Sequence, residues 1–592
     1  MKDFFKSFFA SFLALLVVGG AALVLIIGMV AAAGASNKPT VPSKAILVFD
    51  LTTRLTDDDR DPEPSEALSE VMNGGGSRSL VLPSAIEALD RAANDGRITA
   101  LFITGSLQEA GPAQLRELRE AIQRFKAKKP VLAYNMGWSK RDYYLAAGAS
   151  TVFIHPFGEL EINGLASEPM FFGEAFKKYG VEVQVTRVGK FKSAVEPFIT
   201  DRMSEPNRLQ VQKLLDDIWG EWKDTVAKDR SKAPLDLQAL ADEKGLVEAN
   251  EAKVLGLVDR VASYDEVLDE LKVLAGKRAK DKDFPQISLA TYSDIPGEAK
   301  TGSTRIAVLV AEGEIVDGEG RASEVGGDRL SRELRRLRLD NRIKAVVLRV
   351  NSPGGSAAAS ELIQREVILT KKVKPMVISM GHLAASGGYW ISTYGDRIFA
   401  EPSTITGSIG VFGLLPNVKK LANDHGITWD SVQTAKMANP MTLTRPKTDL
   451  ELNRIQGMVD HIYDQFISKV ADGRKLKKDA VQEIAQGRVW SGSEALKLGL
   501  VDEMGGLGAA VRYAAKMAKA EQDYEVVGPE REQDTFRELL RNLMSQEKSR
   551  KLVKEGPVQE VVNSFQQQLE LLSSLNDPRG IYARMPFDIT LK

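Results

Sequence analysis

One domain is written twice in this chain, and the duplication limits every reading of its fold. Displacing the sequence along itself by about 246 residues sets Tyr143 on Tyr389, Pro156 on Pro402, Gly180 on Gly426 and Lys190 on Lys436. Each copy opens on a buried-strand pattern, Ala45 to Asp50 in the first and Arg305 to Val310 in the second. Each closes on Leu-Gly-Leu-Val-Asp, ending at Asp259 and Asp502. In between, amphipathic helices alternate with apolar β-rich runs such as Ile98 to Ile103 and Ile343 to Leu348, an order that predicts an α/β fold. The expected organisation is an anchor over 1–38, a first repeat over 45–278, a second over 304–522 and a helical tail over 523–592. The apolar spacing of that tail suits packing on a partner surface.

The N-terminus places the chain. Ser7 to Asn37 is a 31-residue stretch without a charge, and its centre from Phe12 to Val30 is almost wholly apolar, long enough to span a bilayer. Lys2 and Lys6 precede it, so the positive-inside tendency keeps the short N-terminus cytoplasmic and exports everything after Lys38. A removable signal peptide has an apolar core of about 7–15 residues, shorter than this one, so an uncleaved anchor is the expectation. With 79 basic against 80 acidic residues there is no basic excess to hold a phosphate backbone, and nucleic acid is not an expected partner. Zero cysteines removes disulfides, thiolate metal sites and cysteine nucleophiles. No HExxH pattern or carboxylate–histidine cluster marks a metal site, and no cofactor is expected.

The two copies have lost different halves of one catalytic pair. Ser408, in Thr-Gly-Ser-Ile-Gly, faces Ile162 of the first copy, whereas Lys192, in Gly-Lys-Phe-Lys-Ser, faces Ala438 of the second. A serine without a histidine can be activated by a lysine, provided burial keeps the amine neutral. The chain has only four histidines, His155, His382, His425 and His461, a lone histidine is more often structural, and the next one after Ser386, in Ala-Ala-Ser-Gly-Gly, is His425, 39 residues on. The strand pattern ending at Asn351 runs into Ser-Pro-Gly354-Gly355-Ser and then a helix, a loop whose Gly354 and Gly355 amides could hold an oxyanion. The first copy has Glu109 and Ala110 at those positions.

These segments, together with Ser-Ala-Val-Glu-Pro-Phe after Lys192 and Ile484 to Trp490, resemble the long, duplicated form of the signal peptide peptidase A family, membrane-anchored serine–lysine proteases of the bacterial envelope. The resemblance runs through nearly the whole chain up to Gln522 and is looser beyond it. It implies Ser408 as nucleophile and Lys192 as general base, tandem ClpP- or crotonase-like ββα-superhelix domains, and a homo-oligomer, tetrameric in the enterobacterial form. The implied substrates are signal-peptide remnants and other apolar, extended peptides at the extracytoplasmic face of the inner membrane. Two other readings are a crotonase-type acyl-CoA enzyme, against which export argues, and a non-catalytic membrane scaffold.

Overall fold

The computed structural model describes residues 40–57, 80–107, 110–230, 236–295, 304–528 and 581–585. The expected anchor over 1–38 lies outside them, and among the described residues no helix is long and apolar enough to cross a membrane.

Each repeat is built on a parallel sheet, and the two sheets have the same order. In the first, strands run Arg260–Val261, Thr151–Ile154, Val131–Asn135, Ile98–Thr104, Ala45–Asp50 and Gln286–Ser288 from edge to edge. The second repeats this with Glu503–Met504, Arg397–Ala400, Met376–Ala385, Ile343–Ser352, Thr304–Glu312 and Tyr524–Val527, and adds Ile405–Gly407 on Met376–Ala385 with Val489–Ser491 antiparallel to it. Central strands covered on both faces read as continuous apolar runs, and in Ile343–Ser352 the residues from Ala345 to Val350 are all buried. Alternation then splits them between two cores. Val346, Leu348 and Val350 face one, and Ala345 and Val347 face the helix Leu507–Met517 in the other. That helix presents Leu507, Ala510, Val511 and Ala514, the i, i+3, i+4, i+7 stripe a sheet-packing helix requires.

The duplication extends to single hydrogen bonds. Tyr143 donates its hydroxyl to the Leu257 carbonyl, and its counterpart Tyr389 donates to the Leu500 carbonyl. Asp259 accepts the Val152 amide at 2.8 Å and pairs with Arg230, as Asp502 accepts the Ile398 amide at 2.8 Å and pairs with Arg474. The closing Leu-Gly-Leu-Val-Asp motif is thus a latch between the sheet and the helix that carries the tyrosine.

The repeats meet through a buried ion cluster. Arg349, fully buried, lies 2.8 Å from Asp57 and 2.6 Å from Glu117, both supplied by the first repeat. Gln114 and Asn351 donate to Asp57 at 2.7 and 3.0 Å, and the Leu507 amide donates to Glu117 at 2.7 Å.

A third sheet belongs to neither repeat alone. Its order is Glu324–Gly326, Glu314–Val316, Gly354–Ser356, Ile581–Arg584, Val411–Asn417 and Glu182–Val188. The first-repeat strand Glu182–Val188 pairs antiparallel with Val411–Asn417 over seven residue pairs, from Val188 on Val411 to Glu182 on Asn417. In the 523–592 segment, for which a helical tail is expected, the stretch 529–580 lies outside the described residues, and the described ones include two strands. Tyr524–Val527 extends the second sheet past the expected boundary at 522, and Ile581–Arg584 enters the third. Periodicity alone cannot reveal such pairing, because the partners lie far away in the chain.

Candidate active site

The crossover of Glu182–Val188 delivers Lys192 from the first repeat into the second. Past the strand, the Phe191 amide donates to the Gln486 carbonyl at 3.0 Å, and Gly487 packs directly on the lysine. A β-carbon on Gly487 would meet the Lys192 β-carbon at 2.6 Å, and the φ of +79° there also favours glycine. The Ser-Ala-Val-Glu-Pro motif anchors the other side. Glu196, buried, accepts the Ser204 hydroxyl at 2.6 Å, the Ser204 amide at 3.1 Å and the Asn207 side chain at 2.9 Å. Gln210, on the helix Glu205–Asp229, donates to the Phe191 carbonyl at 3.0 Å and accepts the Val489 amide at 3.2 Å. Gln210 gave no signal in the sequence, since nothing local distinguishes it from other glutamines on a long helix.

The fully buried Lys192 Nζ lies 2.8 Å from Ser386 Oγ, 3.0 Å from Ser408 Oγ and 3.2 Å from the Ser408 carbonyl. The structure therefore brings Lys192 and Ser408 together, and brings in Ser386 equally closely. Burial holds the Lys192 amine well below the ordinary lysine value, and the nearby Arg584 guanidinium pushes it the same way. Lys190, two residues earlier, is exposed, with its amine over the Phe191 ring.

The two serines differ in their backbone setting. Both have positive φ, +55° at Ser386 and +49° at Ser408. Ser386 forms the turn from the strand Met376–Ala385 into the helix Gly387–Ser392, the kind of sharp elbow that exposes a nucleophile. Its neighbour Gly387 opens that helix, where first-turn amides lack intrahelical acceptors. Ser408 lies between two strands, and its amide donates to the Arg488 carbonyl at 2.7 Å.

Gly354 and Gly355, the expected oxyanion donors, sit in the strand Gly354–Ser356, paired with Arg584 and Ala583. The Gly354 amide donates to Ser352 Oγ at 3.2 Å. A β-carbon on Gly354 would lie 2.2 Å from the Ala583 carbonyl oxygen and 2.5 Å from the Gly387 amide nitrogen, so that carbonyl rests where Gly354 and Gly387 approach each other.

A buried amine held neutral opposes folding. Between its folded pKa and the ordinary 10.5, Lys192 binds more proton in the unfolded chain than in the folded one. Its contribution to stability accordingly improves with rising pH across that window, by up to about 1.4 kcal/mol per unit. Lys192→Met is expected to be more stable than wild type in urea at pH 7, the gap closing toward pH 10. A constant difference over that range would refute the account.

The profile of peptidase family S49 matches residues 123–278 and 368–521, one segment in each repeat. Protease 4 of Haemophilus influenzae is 35% identical over 589 residues, covering 95% of this chain and 94% of its own. Protease 4 of Salmonella typhi is 34% identical, covering 93% of this chain and 91% of its own. The chloroplastic serine protease SPPA of Arabidopsis thaliana is 32% identical, with 77% and 68% covered. With a family profile on both repeats and relatives matched nearly end to end, this chain belongs to peptidase family S49 and is a serine protease.

Proposed function

We propose that the chain is a membrane-anchored serine endopeptidase in which Ser386 attacks the peptide carbonyl and Lys192 is the general base. Ser386 takes the nucleophile's role that the sequence reading gives to Ser408. The observation that carries this is the joint geometry of one buried amine 2.8 Å from a hydroxyl at a strand-to-helix elbow. Neutral Lys192 takes the Ser386 proton as Oγ bonds to the carbonyl carbon, and the ammonium then gives that proton to the leaving amine. The amides of Gly387 and of the Gly354–Gly355 strand stabilise the developing oxyanion. Water, deprotonated by Lys192, releases the acyl group. Ser408 holds the amine in line through its hydroxyl and carbonyl, and is a positioning residue.

The substrates are extended, apolar peptides, such as signal-peptide remnants, reached at the extracytoplasmic face beside the anchor over 1–38. Two observations favour an extended backbone. The strand Ile581–Arg584 runs antiparallel to both Gly354–Ser356 and Val411–Asn417, occupying the groove by β-strand addition. Apolar walls from Val195, Phe198 and Phe412 enclose Tyr582 of that strand. The homo-oligomer implied by the family resemblance would enclose the site further.

The full chain in detergent is expected to hydrolyse an internally quenched apolar peptide, with an acid limb in kcat/KM well below pH 10.5. It is also expected to show no heat of binding to acyl-CoA esters in calorimetry. Absence of peptide turnover together with acyl-CoA binding would overturn the reading in favour of a crotonase-type enzyme.

A further inference from the structure

We propose that Glu314 is a specificity-determining residue that accepts an arginine or lysine side chain on the substrate residue following the scissile bond. The inference rests on the peptidase reading above, and it takes Ile581–Arg584 as a stand-in for a bound peptide that a substrate would displace.

The register of the stand-in names the bond. Tyr582, Ala583 and Arg584 lie opposite Ser356, Gly355 and Gly354, while Tyr582 also lies opposite Phe412. Ala583 directs its carbonyl to the place where Gly354 and Gly387 meet, immediately beside Ser386. The bond presented for attack is therefore Ala583–Arg584, and Arg584 stands for the first residue of the departing fragment. Side chains alternate along a strand, so Arg584 turns away from the face on which Ala583 lies. It reaches across the glycine strand to the carboxylate of Glu314, on the strand Glu314–Val316 beyond Gly354–Ser356, with an N–O separation of 3.2 Å.

Enclosure gives this contact its selectivity. The Arg584 side chain is 9% exposed and that of Glu314 is 12% exposed, so water screens the pair far less than a surface ion pair. A basic residue in this seat satisfies the acid, whereas an acidic one meets like charge at contact distance. The same cation lies near enough to Lys192 to disfavour its ammonium form, so the side chain that binds best also helps keep the base neutral. Binding and activation thus select for the same substrate residue.

The experiment uses the full chain and four quenched peptides sharing a Tyr-Ala-X-Met centre, with X as Arg, Lys, Ala or Glu, cut sites being read by mass spectrometry. In wild type, kcat/KM for X as Arg or Lys is expected to exceed that for Glu by at least about tenfold, the effect of an enclosed ion pair set against like charge at contact distance. Cleavage is expected between Ala and X. The Arg-to-Glu ratio is expected to fall toward one in Glu314→Gln and to invert in Glu314→Lys. An unchanged ratio in Glu314→Gln, or cleavage at another bond, would overturn the assignment. Turnover of all four peptides at equal rates removes Glu314 while leaving the peptidase reading, whereas turnover of none removes both. The wild-type ratio decides between these even if a variant fails to fold.

Discussion

Ser386→Ala is expected to lower kcat for peptide hydrolysis by about 10⁴-fold or more, Lys192→Ala by a similar factor, and Ser408→Ala by about 10²-fold. The first two substitutions remove the groups between which the reacting proton moves, and members of such a unit fail together rather than additively. Ser408→Ala removes one of three oxygens around the amine, at 3.0 Å, and leaves Ser386 Oγ at 2.8 Å and the Ser408 carbonyl at 3.2 Å. The base then keeps its burial and most of its orientation. Steady-state kinetics on the three variants, with a fluorophosphonate probe and mass spectrometry to locate the adduct, separates the two serines. A labelled Ser408, or a Ser386→Ala enzyme with near-normal turnover, would return the nucleophile to Ser408.

The largest expected loss of stability comes from Arg349. Arg349→Met is expected to cost about 3–5 kcal/mol in urea unfolding, because it leaves Asp57 and Glu117 buried without their cation. Burial already pushes the Glu117 carboxyl upward, with Asp57 adding to the repulsion. Burial, with Glu117 and Glu120 near it, also pushes the Glu401 carboxyl up to about 8, against the Arg116 guanidinium 3.1 Å away. Adding Asp57→Asn and Glu117→Gln to Arg349→Met is expected to restore most of the loss, since neutral amides carry a smaller desolvation penalty. A triple variant no more stable than the single one would show that Arg349 acts through packing rather than charge. The cluster joins Asp57 and Glu117 to the strand that runs into Ser352 and Gly354, so loosening it is also a loosening of the groove.

The sequence by itself determined the duplication and the α/β alternation, and it singled out Lys192 and the glycine pair as candidates. Each is a local pattern or a fixed displacement, and the loss of lysine in one copy and serine in the other is visible without coordinates in space. The proposed choice of Ser386 over Ser408 rests on tertiary structure alone. The amine beside Ser386 comes from 194 residues away, just past a strand that crosses between repeats. The elbow at Ser386 is a matter of φ and ψ, which the small residues around both serines permit equally. Likewise, the entry of Ile581–Arg584 between two distant strands, and of Gln210 and Glu314 into the site, depends on pairing and packing across the chain. Sequence records the period of an element and the loss of a side chain. Which distant groups come within 3 Å of one buried amine is set by how the sheets close, and that information is spread over both repeats.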